Sequence, residues 1–288
     1  MKHAGQTAPL CSMNTRQFER FSALIYDEAG IKMPPAKKTM LEARLQKRLK
    51  VLGMKSFEEY AEFIFSPEGR DQEMIHLIDV VTTNKTDFFR EPFHFDYLVR
   101  EVIPELRRTR GVGETSNQPF RIWSAGCSTG EEPYTMAMVL ADYAAANHGF
   151  RFSILASDIC TQVIQKAATA VYSEERTDTI PLSIKKKYLL RSKDRTKSLV
   201  RIAPELRSCI SFKRVNFMDD HFGINEKMDV IFCRNVVIYF DKETQARLML
   251  KFHRQLASGG YLFIGHSETL NGLGVPFTQV ANTVYRKE

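Results

Sequence analysis

Up to about residue 81 the apolar positions recur every three or four residues, whereas after residue 120 they fall in short β-favouring runs; that change of period divides the chain. Phe18, Phe21, Leu24 and Ile25 predict a helix that starts at the Asn14-Thr15 cap and stops at Gly30. A second runs from about Pro35 to Leu52 and ends at Gly53. Its stripe is Leu41, Leu45, Leu49 and Leu52, and Lys37, Arg44, Lys47 and Arg48 fall on the other side, which predicts a docked helix with a basic outer face. The capping pattern Ser56-Phe57-Glu58-Glu59 opens a third helix that closes before Ser66-Pro67, and Met74, Leu77, Ile78 and Val81 mark a fourth. The expectation is an all-α N-terminal domain over residues 1–81, disordered to about residue 13, with a modest core.

Thr82 to Pro92, T-T-N-K-T-D-F-F-R-E-P, is polar and ends on paired phenylalanines. It reads either as an interdomain linker anchored by those rings or as a strip across the mouth of a site, with Asn84, Thr86 and Arg90 pointing in. A helix over Phe93 to Arg108 and a polar loop over Gly111 to Gln118 follow. Strands are then expected at Phe120–Ser124, Phe152–Ser157, Ile210–Val215, Met228–Cys233, Tyr261–Gly265 and Asn282–Arg286, with helices at Tyr134–Ala146, Gln162–Ala170 and Lys242–Leu256 between them. Met228–Cys233 is apolar enough to be the buried central strand. Residues 172–208 alternate basic and apolar positions and predict a small β-hairpin insert. The alternation predicts an α/β domain over residues 93–288, a doubly wound sheet with one mouth, to which the segment 82–92 contributes.

The chemistry concentrates at Phe120 to Tyr134, F-R-I-W-S-A-G-C-S-T-G-E-E-P-Y, a strand, a glycine turn and a helix start. Such a turn sets backbone N–H groups at the carboxyl end of the strand, where open α/β sheets bind nucleotide-like ligands. The spacing is not G-x-G-x-x-G, and Glu131 and Glu132 would repel a pyrophosphate. A cationic, phosphate-free nucleoside fits instead, and S-adenosylmethionine (SAM) is the obvious one. Asp158, at the end of the second strand, is placed to accept both ribose hydroxyls or to cap the following helix, two compatible roles. Cys127 lacks a nearby histidine to activate it and reads as a turn filler. His266 reads as a loop-holding residue rather than a base.

Composition narrows the classes. The 288 residues are 43% hydrophobic and 26% charged, with no run long enough for a membrane span and no signal-like start, which predicts a cytoplasmic protein that is not membrane-inserted. Five scattered cysteines without a C-x-x-C pair predict reduced thiols and no metal site. The net charge of +7 is uneven. Lys32 to Lys55 holds eight Lys/Arg against Glu42, a local +7, and Lys185 to Arg214 eleven against Asp194 and Glu205, a local +9. Two patches imply an acidic partner, unless both are simply solvated faces.

Five motifs in order, T-T-N-K-T-D-F-F-R-E at 82–91, W-S-A-G-C-S-T-G-E-E-P-Y at 123–134, A-S-D-I at 156–159, F-C-R-N-V-V-I-Y-F at 232–240 and G-H-S-E at 265–268, resemble those of CheR-type chemotaxis receptor methyltransferases over nearly the whole chain. The resemblance implies a Rossmann-like SAM-dependent methyltransferase with a helical N-terminal domain and a small inserted antiparallel β-subdomain. Its activity would move the SAM methyl group to glutamates on the cytoplasmic methylation helices of membrane chemoreceptors, leaving S-adenosylhomocysteine (SAH). It implies cofactor contacts at Asn84, Thr86, Arg90, Glu132, Asp158, Asn216, Phe217, Arg234 and Asn235, beside the turn glycine Gly126. Arg90 and Tyr239 match the pair nearest the transferred methyl. Lys37, Arg44, Lys47 and Arg48 become candidates for docking the acidic receptor helices, and a monomer is expected. Some members hold a receptor C-terminal peptide on the β-subdomain at a glycine-bearing turn; here that turn, R-S-K-D-R-T-K-S at 191–198, has no glycine, which leaves tail binding in doubt.

The proposed reaction suits the residues. A glutamate with a pKa of about 4.3 is already ionised at neutral pH, so no general base is required and positioning carries the rate. R-N-V-V-I-Y replaces the Asn/Asp-Pro-Pro-aromatic motif of many amino-nitrogen methyltransferases, which argues against nucleic acid as acceptor. A SAM-binding scaffold without turnover is the other alternative.

Overall fold

Asn14 opens the first helix, α1 (Thr15–Ala29), with a reciprocal capping box: its side chain accepts from the Gln17 amide at 2.8 Å, and the Gln17 side chain accepts from the Asn14 amide at 3.0 Å. The computed structural model describes residues 12–114, 118–194 and 196–288. The disordered start expected at residues 1 to about 13 lies almost wholly outside that range, as do the centre of the 111–118 loop and position 195 of the 191–198 turn. The chain forms two compact units, one to Thr83 and one from Asn84.

In the first unit, a 3₁₀ turn at Pro35–Lys37 leads into α2 (Lys38–Leu52), which ends on left-handed Gly53, followed by α3 (Phe57–Phe65) and α4 (Pro67–Val81). Ser66 closes α3 and caps α4, its hydroxyl accepting from the Gly69 amide at 3.0 Å. The apolar stripes meet in a core of Phe18, Phe21, Leu41, Leu45, Tyr60 and Leu77. The expected basic outer face of α2 needs correction. Arg44 turns inward and donates to the carbonyls of Val81 and Thr82 at the end of α4. Arg48 grips the buried Glu73 at 2.6 Å, and Tyr60 donates to the same carboxylate. A buried carboxylate and the carbonyls of a helix end both require donors, and these arginines supply them. Of the four residues proposed for docking, Lys47 is exposed and Lys37 partly so.

The second unit begins with the 84–92 strip. One helical run follows, α5 (Phe93–Tyr97), a π turn (Leu98–Val102) and α6 (Ile103–Arg110). The wide turn lies just before Pro104, which has no N–H to give the Arg100 carbonyl and whose ring would crowd it. Next come β1 (Phe120–Ala125), α7 (Glu131–Ala146), β2 (Phe152–Asp158) and α8 (Thr161–Thr169). The insert holds β3 (Val171–Ser173), α9 (Leu182–Tyr188), β4 (Leu189–Arg191), β5 (Leu199–Ile202) and α10 (Pro204–Arg207). The expected hairpin, β4–β5, is present, and β3 extends it to a three-stranded antiparallel sheet of order β3-β5-β4. The chain returns through β6 (Ile210–Arg214), β7 (Met228–Cys233), α11 (Lys242–Gln255), β8 (Leu256–Ile264), β9 (Thr278–Ala281) and β10 (Val284–Arg286).

The seven strands order as β6-β2-β1-β7-β8-β10-β9, parallel from β6 to β8 and antiparallel beyond. Alternate residues feed two cores: Phe120, Ile122, Val230 and Phe232 on one face, Trp123, Ala125, Ile231 and Cys233 on the other. Every residue of β7 is buried, as its apolar run requires. β8 starts five residues before the expected Tyr261, because Ser258-Gly259-Gly260 is absorbed as an irregularity opposite Met228–Val230 instead of ending a helix. Strand order reverses between β1 and β7, and their carboxyl ends therefore flank the crevice of the sheet.

Candidate cofactor site

The turn after β1 is built by backbone conformations that side chains resist. Gly126 has φ 91° and Gly130 φ 98°; a Cβ at 126 would lie 2.5 Å from Val236, and one at 130 would lie 2.8 Å from Ala167. The Gly126 and Cys127 amides both donate to the Ser157 carbonyl at 2.8 Å. Asp158 then takes the Ser128 amide on one oxygen at 2.8 Å and the Cys160 amide on the other at 3.0 Å. It thus ties the turn to the start of α8 from the end of β2. Burial, with Asp158 and Glu132 adding to it, pushes the Cys127 thiol well up, so it stays protonated and fills space.

Residues 84–92 lie across this crevice, hydrogen-bonded along their length. The Asn84 carbonyl accepts from the Ser128 hydroxyl at 2.8 Å, and the Thr86 carbonyl from Arg176 of the insert at 2.7 Å. Thr179 donates to the Phe88 carbonyl at 2.8 Å, and the Phe89 amide to Thr135 at 3.1 Å. Phe88 is fully buried against Tyr172. These bonds fix the segment to the glycine turn and to the insert, and the buried Phe88 anchors it. Phe89 and Glu91 adopt left-handed φ of 53° and 56°, on either side of Arg90. The Arg90 side chain is one-third exposed (34%), its guanidinium 3.3 Å from the Lys85 carbonyl.

The Glu132 and Arg234 side chains, at the start of α7 and just after β7, are joined to each other. They pair at 2.7 Å, with Glu132 also accepting from the Ser124 hydroxyl at 2.7 Å. Arg234, its side chain 2% exposed, further donates to the Arg90 carbonyl at 2.7 Å and lies against the Phe95 and Phe232 rings. It is a strut from the end of β7 to the strip. Asn235 follows in the left-handed region, φ 59°, and its amide donates to the buried Glu268 at 2.9 Å; Glu268 also accepts from the Gly265 and Ile238 amides. Tyr239 lies on the 3₁₀ turn Val237–Tyr239, half-buried. Asn216, buried after β6, accepts from the Met218 amide at 3.0 Å, and Phe217 packs among Trp123, Phe222 and Phe252. The residues expected at the site thus follow the carboxyl ends of β1, β2, β6 and β7, or the strip beside them. His94, Arg176 and Glu268 were missed as parts of it. Glu268 lay within the quoted G-H-S-E; nothing local distinguished His94 or Arg176.

The residues suit a cationic nucleoside. Glu131, Glu132 and Asp158 are buried around the glycine turn, the first two paired with Arg176 and Arg234, and carboxylates so placed favour hydroxyls over phosphates. Glu91, His94 and His266 place possible ligand atoms within 4.8 Å of one another. They do not make a metal centre, because the His94 Nδ1 already faces the Arg234 guanidinium at 3.2 Å. Burial, Arg234 and His266 together push His94 down to about 3, so its 3.4 Å approach to Glu91 is not an ion pair.

A family described as CheR methyltransferase, SAM binding domain, matches residues 84–286, and its companion, CheR methyltransferase, all-alpha domain, matches residues 16–82. A chemotaxis protein methyltransferase of Borreliella burgdorferi is 42% identical over 257 residues, covering 89% of each chain. That of Escherichia coli is 37% identical over 287 residues, covering 98% of this chain and 96% of its own, and that of Salmonella typhimurium 36% identical over 288 residues with the same shares. Both units are accounted for by these matches, and the chain belongs to the CheR methyltransferase family.

Proposed function

We propose that this protein transfers the methyl group of SAM to glutamate side chains on the cytoplasmic helices of chemoreceptors, forming γ-glutamyl methyl esters. The observation that carries the reading is the acid-lined glycine turn bridged by Asp158 and crossed by the 84–92 strip, in a chain of this family. Asp158, Asn84, Thr86, Asn216 and the turn at Gly126 would hold the nucleoside, with Phe217 and the Asn235 backbone beside it. When bound, the cofactor supplies an electrophilic methyl on a sulfonium. The chain's own part is to orient. Arg90, whose carbonyl is fixed by Arg234, directs its guanidinium to a carboxylate, and Tyr239 steers the nucleophile with its hydroxyl. The glutamate arrives ionised, so no proton transfer has to be arranged. The protein would act in the cytoplasm as a monomer, with Lys47 and Lys37 on α2 contributing to attraction of acidic receptor helices; Arg44 and Arg48 would contribute charge but not reach.

Incubating the protein with labelled SAM and receptor-containing membranes, then mapping modified peptides, tests the acceptor. Methylated glutamates on receptor helices are expected. Label on lysine, on arginine or on nucleic acid would contradict the proposal.

A further inference from the structure

His94 is fully buried, has no part in the methyl transfer described above, and touches the strut of the strip with one ring nitrogen and the end of the sheet with the other. Its tautomer follows from its neighbours. Arg234 Nη1 can only donate, so at 3.2 Å the His94 Nδ1 accepts, and the Thr283 hydroxyl, 2.8 Å from Nε2, accepts there with its own proton free for the Asn282 carbonyl at 2.7 Å. Nε2 therefore carries the proton, and Nδ1 presents a lone pair to Arg234 Nη1 at 3.2 Å. An imidazolium there would point an N–H at a guanidinium. Glu91, at 3.4 Å, is the one acid at this nitrogen, and it is shared with Arg234; His266 stacks edge-on at 5.4 Å, and Phe232 and Phe263 close the rest of the ring.

We propose that His94, with Thr283 behind it, is a positioning residue for methyl transfer: a neutral, fixed-tautomer acceptor that orients Arg234 and, through it, the carbonyl of Arg90. The Arg234 guanidinium has donors in several directions and acceptors to match: Glu132 takes Nε, while Nη1 meets the Arg90 carbonyl, Glu91 and His94. Without the ring acceptor, that guanidinium can rotate toward Glu91, and the left-handed turn around Arg90 loses a fixed end. Thr283 is itself left-handed, φ 56°, between β9 and β10, so the hairpin that ends the chain supplies the ring's second anchor.

The inference rests on the methyl-transfer reading, and its test separates the two. In steady-state methylation, His94→Phe keeps the aromatic volume but loses both contacts, whereas His94→Asn restores an acceptor near the Nδ1 position. We expect His94→Phe to lower kcat about tenfold or more with the KM for SAM changed less than about threefold, and His94→Asn to recover most of the loss. A wild-type protein that transfers no methyl would count against the methyl-transfer reading. Transfer that His94→Phe leaves intact, or that His94→Asn fails to rescue, overturns this inference alone. A second arm needs no turnover. The ring nitrogens of His94, followed by NMR at about pH 5, below the ordinary histidine value of about 6.5, should show a neutral Nε2–H imidazole, and an imidazolium there overturns the inference.

Discussion

Asp158 is at once a structural acceptor and the carboxylate proposed for the ribose. Its two oxygens each hold a backbone amide, so Asp158→Ala leaves the Ser128 and Cys160 amides without that acceptor and removes the carboxylate proposed for the ribose. SAH affinity, measured by calorimetry, should fall at least tenfold, about 1.4 kcal/mol or more; unchanged affinity would remove Asp158 from the cofactor site. His94 links stability to pH. Its folded value, about 3, lies below the ordinary histidine value of about 6.5, so its contribution to stability is complete above about pH 6.5 and is lost as pH falls toward 3. Chemical denaturation of wild type should thus lose stability in that window by up to one proton's worth, about 1.4 kcal/mol per pH unit, and His94→Asn should flatten that slope. The charged and titratable groups facing the ring, Arg234, Glu91 and His266, remain in the variant.

Between elements, buried ions decide more than surface ones. Arg48 on α2 is paired with the buried Glu73 on α4, so Arg48→Ala should cost roughly 3 to 5 kcal/mol by leaving that carboxylate unpaired, whereas Lys47→Glu should leave the melting temperature within a degree or so. If docking uses this helix, Lys47→Glu lowers receptor methylation and its salt dependence at unchanged stability; no change in either would remove Lys47 from docking. The clasp behind β7 makes a parallel case. Glu268→Ala deprives the Asn235, Gly265 and Ile238 amides of one shared acceptor and should lower stability by about 2 to 4 kcal/mol in urea unfolding. Helix caps and long apolar runs were legible from sequence because their causes are local: Asn14, Ser56 and Met228–Cys233 needed no tertiary information. The inward turn of Arg44 and Arg48 was not, because helical spacing fixes a face but says nothing of which neighbour lacks a donor. β9 escaped for a similar reason, being a short edge strand with no buried alternation.

For the whole molecule, strand and helix alternation was enough to expect the doubly wound sheet and the crevice at its carboxyl edge, since right-handed crossovers leave few other solutions. The motif residues fell along that edge as expected. What the spacing did not reveal was the set of long-range contacts there, in which Arg234 and Glu268 hold backbone groups of the strip and of the edge after β7, Glu132 and His94 hold the Arg234 side chain, and Asp158 bridges two backbone amides. Long-range pairs such as Glu132 with Arg234 leave no local trace in sequence. Ester formation in this crevice is tested most directly by alkali-released methanol. After incubation of tritiated SAM with receptor membranes, mild base should release volatile label, and Asp158→Ala and Arg90→Ala should each reduce that release at least tenfold. Label stable to base, or release undiminished in both variants, would contradict it.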